Sequence, residues 1–417
     1  MKCKLLLFSL LTSFSVAAVS QSLNLNKTYI ASGGQYGDPS DHVAVGFIHP
    51  ETQDYQTFDS IYTQSVQDLI IDDEYIFVNA GDSLVCYNKS THERLTAFQH
   101  EGLNKLAVAG DKLLVSLQYP VTTQSLLVLD KHNLILSTTI EMSGEAAGIA
   151  IDGDSAYVAV PGAWGTPEGK MAVIDLTTET LSREINLGSE ARGIKALFLR
   201  DDNIYTVNTH FSDYEANTFS VSVFDIAADS YETTVLSGDY YGYYGNTVMS
   251  ENILYIPVSS SIATYNVNNG ENTMDFLEIT PAAVGYDKAD DRLHITTSDY
   301  ATYGSYQVYN LNGDPLSNTI PVGVSPEAIA LDYDISTALP TVSRSHGKAY
   351  FSGNRLVVKS RQGIRKVSVF NATGQLLRSE RFSPAKKVQL RAGTSQNGLL
   401  LLRVETQEGS FTSKVVR

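Results

Sequence analysis

Aromatic side chains are concentrated in polar loops of this chain, where no hydrophobic core needs them. The loops span residues 32–42, 118–125, 161–170, 209–218, 237–245 and 298–305. They carry the only tryptophan and ten other aromatic residues: Tyr36, Tyr119, Trp164, Phe211, Tyr214, Tyr240, Tyr241, Tyr243, Tyr244, Tyr300 and Tyr303. Tyr and Trp offer a large contact area at low entropic cost, with one polar group each. The loops therefore predict a ligand-binding face, and packing of the loops on one another is the alternative.

Residue patterns that would support catalysis are weak. The eight histidines show no spacing typical of zinc ligands, and the chain has neither a G-x-S-x-G elbow nor a P-loop. His210 and Asp213 share a loop and could form an acid–base pair, but a polar rim for a ligand is the better interpretation. Asp38 and Asp41 are only two acids, a weak indication of calcium. We expect no enzyme activity, no metal and no cofactor.

The strands that must position these loops form a repeat. Residues 145–188 contain four short apolar or alternating runs joined by turns such as Asp-Gly-Asp at 152–154. Similar units recur every 40–45 residues or so, a period typical of β-propeller blades. Six full units are present. Residues 28–61 supply three strands of a seventh, and residues 325–332 supply its first strand. Pairing of the two chain ends would close the ring and leave no open sheet edge.

Propeller geometry predicts which loops lie together. The first strand of each blade lines the central channel, so the loop between strands two and three opens on the same face as the connection to the next blade. All the aromatic loops belong to this face. In four of the blades, a polar residue lies two positions before the apolar run of the first strand, near the channel mouth. These residues are Gln67, Asn104, Arg192 and Glu327. We expect them to ring the axis and to supply oriented polar contacts, Arg192 among the ligand-binding residues. Solvated pore residues are the alternative.

Charge and composition divide the chain. Residues 1–20 have the basic start, apolar run and Ala-Val-Ser end of a secretory signal peptide. Residues 21–340 hold 13 Lys+Arg against 43 Asp+Glu, whereas residues 341–417 hold 15 against 3. We predict a propeller over 21–335, a linker over 336–347 and a small domain over 348–417. The acidic propeller argues against a nucleic-acid partner. After removal of the signal, Cys86 is the only cysteine, and we expect it to be a buried core residue.

The C-terminal segment predicts about seven short strands in an antiparallel β-sandwich, with Gly-centred turns. Residues 367–375, 398–404 and 414–417 resemble the C-terminal sorting domain of type IX secretion in Bacteroidetes. The usual Asn-Pro near the start of that domain is missing, and Leu399-Leu400 stands where an aromatic residue usually follows the glycine. The resemblance implies passage through the outer membrane by the type IX machinery, to a secreted or cell-surface location.

The repeat at 147–188 is similar to surface-layer or YncE-like propellers, a group that includes Bacteroidetes surface proteins that capture vitamin B12. The fold class we predict is all-β: a seven-bladed β-propeller followed by a small antiparallel β-sandwich. The resemblance implies a monomeric surface protein that captures a small bulky ligand, such as a corrinoid, and passes it to an outer-membrane transporter. A protein-interaction or adhesion module is the alternative, and a lactonase-like hydrolase is the lesser one.

Overall fold

The computed structural model describes residues 22–120, 125–161, 168–209, 219–236, 246–258, 260–336, 347–352, 355–371, 376–391, 399–406 and 409–416. The chain divides into two compact units. One is Asn24–Asp334, and the other includes Ile335–Arg417. Apart from one 3₁₀ helix, Ser189–Ala191, the regular elements are β-strands. In the part of the chain that the structure describes, no helix is long and apolar enough to cross a membrane.

The first unit consists of seven four-stranded antiparallel sheets, which are the predicted blades. The chain begins with β1 Ser22–Ser32, β2 Val43–Ile48 and β3 Tyr55–Ile61. These three strands belong to the blade that also contains the last strand of the propeller. The next two blades are β4 Val66–Ile71, β5 Tyr75–Ala80, β6 Ser83–Asn88 and β7 Arg94–Gln99, then β8 Leu103–Ala109, β9 Lys112–Leu117, β10 Leu126–Asp130 and β11 Leu136–Ile140.

The remaining blades follow in the same order of strands. Two of them are β12 Ile149–Asp152, β13 Ser155–Val160, β14 Lys170–Asp175 and β15 Thr180–Asn186, then β16 Ile194–Arg200, β17 Asn203–Asn208, β18 Phe219–Asp225 and β19 Ser230–Leu236. The last two are β20 Val248–Met249, β21 Ile253–Val258, β22 Ser261–Asn266 and β23 Asn272–Leu277, then β24 Pro281–Asp287, β25 Arg292–Thr297, β26 Tyr303–Asn310 and β27 Ile320–Val324.

The ring is closed by a strand from the far end of the propeller. Strand β28, Pro326–Ser336, pairs with β1, so this blade has the order β28-β1-β2-β3. Ala328 on β28 packs in the same core cluster as Tyr29 on β1 and Val78 on the next blade. The predicted closure of the ring by both chain ends is therefore confirmed. It leaves β1 paired on both sides, which removes an edge that another chain could join.

The core of the first unit lies between neighbouring blades. One cluster joins Leu114 and Val128 to Val158 and Ile174 of the following blade, and each of these side chains is fully or almost fully buried. The middle strands of the blades read as continuous apolar runs because both of their faces pack against other sheets. Cys86 lies in such a strand, and burial raises the pKa of its thiol to about 12.

The C-terminal unit is a small antiparallel β-sandwich made of fewer and longer strands than predicted. They are β29 Gly347–Ser352, β30 Arg355–Phe370, β31 Leu376–Arg391, β32 Leu399–Thr406 and β33 Gly409–Val416. Two strands of 16 residues each stand where several of the short strands were predicted. The pairing of β30 with β31 is irregular between Lys359 and Ile364, so one strand changes direction where the sequence indicated a break. Both halves share one apolar core.

Candidate functional site

Exposed tyrosines mark one face of the propeller. Among the described residues of the propeller, six tyrosines are exposed: Tyr36, Tyr62, Tyr119, Tyr231, Tyr300 and Tyr303. All but Tyr231 lie where the second strand of a blade leads to the third, or where one blade leads to the next. Tyr36, Tyr119 and Tyr303 are 84%, 78% and 79% exposed. In the described part of the propeller, the exposed tyrosines therefore lie almost entirely on one face, which we call the tyrosine face.

Several residues predicted for the binding face lie outside the described residues. They are Trp164, His210, Phe211, Tyr214, Tyr240, Tyr241, Tyr243 and Tyr244. Tyr62 was missed by the sequence analysis, although it is 83% exposed and stacks edge-on against His42 with ring centroids 4.9 Å apart. Its position could have been inferred, because it directly follows β3 in a connection between blades.

The loop that carries Tyr36 is held by the amide of Gln64. The Gln64 nitrogen donates to the carbonyl oxygens of Gln35, Asp38 and Asp41, while its oxygen accepts a hydrogen bond from the Gly37 amide. These loop carbonyls therefore converge on a side-chain amide rather than on a cation. Hydrogen bonds from Ser40 hold the pKa of the Asp38 carboxyl below its usual value. Within the described residues, no three His, Cys, Asp or Glu side chains are grouped to hold a metal.

This loop and Tyr303 contact the same backbone. Tyr303 pairs with Val324 across β26 and β27, and the Val324 carbonyl accepts a hydrogen bond from the Gly34 amide at 3.1 Å. The next carbonyl, that of Ser325, accepts from Gly33 at 2.7 Å. The tyrosine-bearing segments of two adjacent blades are therefore fixed to each other by the chain entering β28.

A cavity of about 520 Å³ lies in the central channel, at the end where the inner strands begin. Its polar lining includes Gln67, Asn104, Lys105, Gln118, Lys195 and Asn246, and most of its remaining wall is apolar. Inner strands begin on the tyrosine face, because each is entered from the connection between blades. The cavity and the exposed tyrosines therefore belong to the same end of the propeller.

Bulges at the starts of the inner strands decide which side chains line the cavity. The ladders skip Gln67 between Val66 and Asp68, and Lys195 between Ile194 and Ala196. Between Leu103 and Leu106, two residues of β8, Asn104 and Lys105, stand against one residue of β9. An extra residue on one strand turns its side chain out of the regular alternation. The side chains of Gln67, Lys105 and Lys195 lie at these bulges and line the cavity.

Two of the four polar residues predicted to ring the axis line this cavity. Gln67 and Asn104 line the cavity, whereas Arg192 and Glu327 are not among its lining residues. The Glu327 carboxylate instead turns to the neighbouring blade and accepts a hydrogen bond from the Val66 amide at 2.9 Å. Burial raises the pKa of Glu327, and the bond from Val66 acts in the opposite direction. Arg192 lies in the connection that enters β16, just after the 3₁₀ helix.

Lys105 joins inner strands across the channel. Its ammonium donates to the Gln67 carbonyl at 2.6 Å and to the Asn246 side-chain oxygen at 3.0 Å, and it lies 3.8 Å from the Asp68 carboxylate. The Asn246 amide continues to the Glu327 carbonyl. These contacts connect strands from four blades, so Lys105 is a structural cation of the channel wall.

At another side of the cavity, the backbone at Gly148 lies close to the backbone of β16 at Lys195. The Gly148 amide donates to the Lys195 carbonyl at 3.1 Å, and a side chain at position 148 would place its first carbon 2.8 Å from that oxygen. Only glycine fits there without moving β16. The position of Lys195 at the cavity is therefore fixed through its backbone by the neighbouring blade.

Comparisons with known proteins identify the fold. No protein-family model matches the sequence, and no curated protein matches it. A candidate 6-phosphogluconolactonase from Bacteroides fragilis is 14% identical, with a TM-score of 0.56 over 77% of this chain and 100% of its own. Hydrazine synthase from Kuenenia stuttgartiensis is 11% identical, with a TM-score of 0.52 over 72% of this chain and 99% of its own.

A third similar structure is the extracellular domain of a candidate one-component system from B. thetaiotaomicron. It is 10% identical, with a TM-score of 0.51 over 94% of this chain and 57% of its own. At such identities the likeness concerns the fold alone. The β-propeller predicted from the repeats is confirmed.

Proposed function

We propose that this protein is an exported binding protein of the cell surface, whose tyrosine face captures a small bulky ligand for uptake through an outer-membrane transporter. A corrinoid is the ligand we put forward. The observation that carries the proposal is the coincidence, at one end of the propeller, of the 520 Å³ cavity and five of the six exposed tyrosines in the described part of the propeller.

The chemistry of this end suits a flat, bulky molecule. Tyr36, Tyr119 and Tyr303 expose broad rings that can stack on a planar ligand, and each keeps a hydroxyl for a hydrogen bond. The cavity combines apolar walls with a few placed amides and amines and the Asp68 carboxylate, which lies beside Lys105, a composition usual for a small-molecule site. A group projecting from the ligand would enter the cavity while its planar body rests on the tyrosines.

Export and surface location are part of the same proposal. They rest on the signal sequence at 1–20 and on the sorting-domain resemblance of the C-terminal segment. Strand β28 begins on the tyrosine face and ends on the opposite one, so the chain leaves the propeller away from the proposed site.

Calorimetric titration of the mature chain with cyanocobalamin tests the proposal. We expect a dissociation constant in the micromolar range or tighter, weakened roughly tenfold or more by Tyr119→Ala or Tyr303→Ala, because exposed aromatic anchors carry much of the binding energy at such surfaces. Tyr231→Ala removes a tyrosine ring that is about half exposed on the outer strand β19, away from the tyrosine face, and serves as the control.

Equal weakening by all three variants, or no heat over several temperatures, would reject the corrinoid as the ligand of this face. The alternative would then be a protein partner, sought by pull-down from outer membranes. Turnover of a lactone in the same preparation would favour the hydrolase alternative instead.

A further inference from the structure

The propeller has few cations, and almost all of them are already engaged. Residues 21–340 hold 13 Lys+Arg against 43 Asp+Glu, and all 13 cations lie in the described ranges. Nine form an ion pair with a carboxylate. Lys27 and Lys288 lie over aromatic rings. Two cations remain, Arg192 and Lys195.

Arg192 and Lys195 lie three residues apart at the start of β16. Lys195 is the bulged residue of that strand and lines the cavity. Its ammonium makes no hydrogen bond or ion pair with any other described residue. The Arg192 guanidinium likewise has no partner in the part of the chain that the structure describes, and its Nε is buried. The two unpartnered cations of this acidic propeller therefore both lie in the segment that enters β16, and Lys195 lines the cavity.

An exposed ammonium with no carboxylate partner is open to an anionic group of a ligand, because a charge-assisted hydrogen bond can form there. The Lys195 side chain is accessible from inside the channel, yet protein surrounds it, and this burial lowers the pKa of its ammonium. The nearby Glu145 carboxylate acts in the opposite direction, and Lys105 adds to the lowering. Glu145 itself accepts a hydrogen bond from the Tyr119 amide at 2.9 Å, so it is already engaged by the tyrosine-bearing loop.

The wall opposite supplies a second unmet polar group. The side-chain oxygen of Gln67 is buried at the cavity without a hydrogen-bond partner among the described residues. Buried polar atoms are rarely left unpaired in native proteins. A molecule that places a negatively charged group near Lys195 and a hydrogen-bond donor near Gln67 would satisfy both sides of the cavity.

We infer that Lys195 forms an anion-binding subsite that takes a phosphate or carboxylate group of the captured molecule into the channel mouth. The inference rests on the proposed function in one respect, since the anionic group is taken to belong to the ligand whose body lies on the tyrosine face. Lys105 plays no part in this subsite, because its ammonium is fully engaged in joining the inner strands.

Titration of the mature chain with inorganic phosphate, followed by ³¹P NMR line width, tests the subsite without the rest of the ligand. We expect saturable binding in roughly the millimolar range, weakened about tenfold or more by Lys195→Gln, the effect of losing one charge-assisted hydrogen bond. Lys195→Arg keeps the charge and should retain binding. Lys288→Gln makes the same charge change at the turn between β24 and β25, on the other face, and should leave binding unaltered.

The outcomes separate this inference from the proposed function. Phosphate binding that Lys195→Gln abolishes and Tyr119→Ala spares supports the subsite, whether or not cyanocobalamin binds. Absence of phosphate binding, or equal binding by Lys195→Gln and the native chain, overturns the subsite even if cyanocobalamin binds to the tyrosines. Circular dichroism of each variant establishes that a loss of binding is not a loss of fold.

Discussion

A chain that ends at Ser325 is expected not to fold, whereas one that ends at Ser336 should unfold cooperatively. The eleven residues between these ends are β28, the inner strand that closes the ring. Without it, β1 loses its partner along one whole side, and the core cluster around Tyr29 loses Ala328. The carbonyl of Pro326 also accepts a hydrogen bond from the Thr296 hydroxyl, so the neighbouring blade would lose a contact too.

The expected loss approaches the whole stability of an ordinary domain, about 5–15 kcal/mol. Urea denaturation of residues 22–325 and 22–336, followed by far-ultraviolet circular dichroism and intrinsic fluorescence, measures it. Cooperative transitions of equal midpoint in the two chains would show that closure by β28 is unnecessary, and would contradict the account of the fold given above.

Asp332→Ala should be among the most destabilising single substitutions in the propeller. The Asp332 carboxylate on β28 is buried, accepts a hydrogen bond from Asn26 on β1 at 2.7 Å and pairs with Lys89 of the next blade at 3.0 Å. Removing it leaves the half-buried Lys89 ammonium without its carboxylate. Breaking a buried ion pair in this way costs about 3–5 kcal/mol.

Chemical denaturation of the full chain at neutral pH measures this cost, with Asp290→Ala as the matched control. Asp290 pairs with Arg292 at 3.4 Å, but both side chains are about half exposed, so water replaces the lost partner. We expect the control to keep the native midpoint. If Asp332→Ala shifted the midpoint no further than Asp290→Ala, the closing strand would not depend on this ion pair.

The sequence predicted the blades because their turns and apolar runs are local signals that repeat. Asp-Gly and Asp-Asp turns separate strands whose apolar residues face neighbouring sheets, and the unmatched strand at 325–332 indicated the closure. The long strands of the C-terminal unit were missed for the opposite reason. The polar residues at 360–362 interrupt the apolar pattern, yet β30 continues through them because β31 pairs with it on both sides of this stretch.

The residues that line the cavity were harder to predict from the sequence than the blades. Counting back from the apolar run selected Arg192 and Glu327 as channel residues, but bulges in the inner strands bring Lys105 and Lys195 to the cavity instead. A bulge depends on pairing with the next strand, so period-two alternation along one strand cannot reveal it. That Lys195 lacks a partner while Lys105 has several also follows only from the assembled ring.

Amide hydrogen exchange of the mature chain, with and without cyanocobalamin, tests most directly whether the tyrosine face and the channel mouth form one binding site. The account predicts slower exchange on binding at residues 33–42 and 118–120 and at the first residues of β4, β8 and β16, with no change at the turns of the opposite face, such as 152–154 and 288–291. Protection confined to that opposite face, or protection nowhere in the propeller, would contradict it.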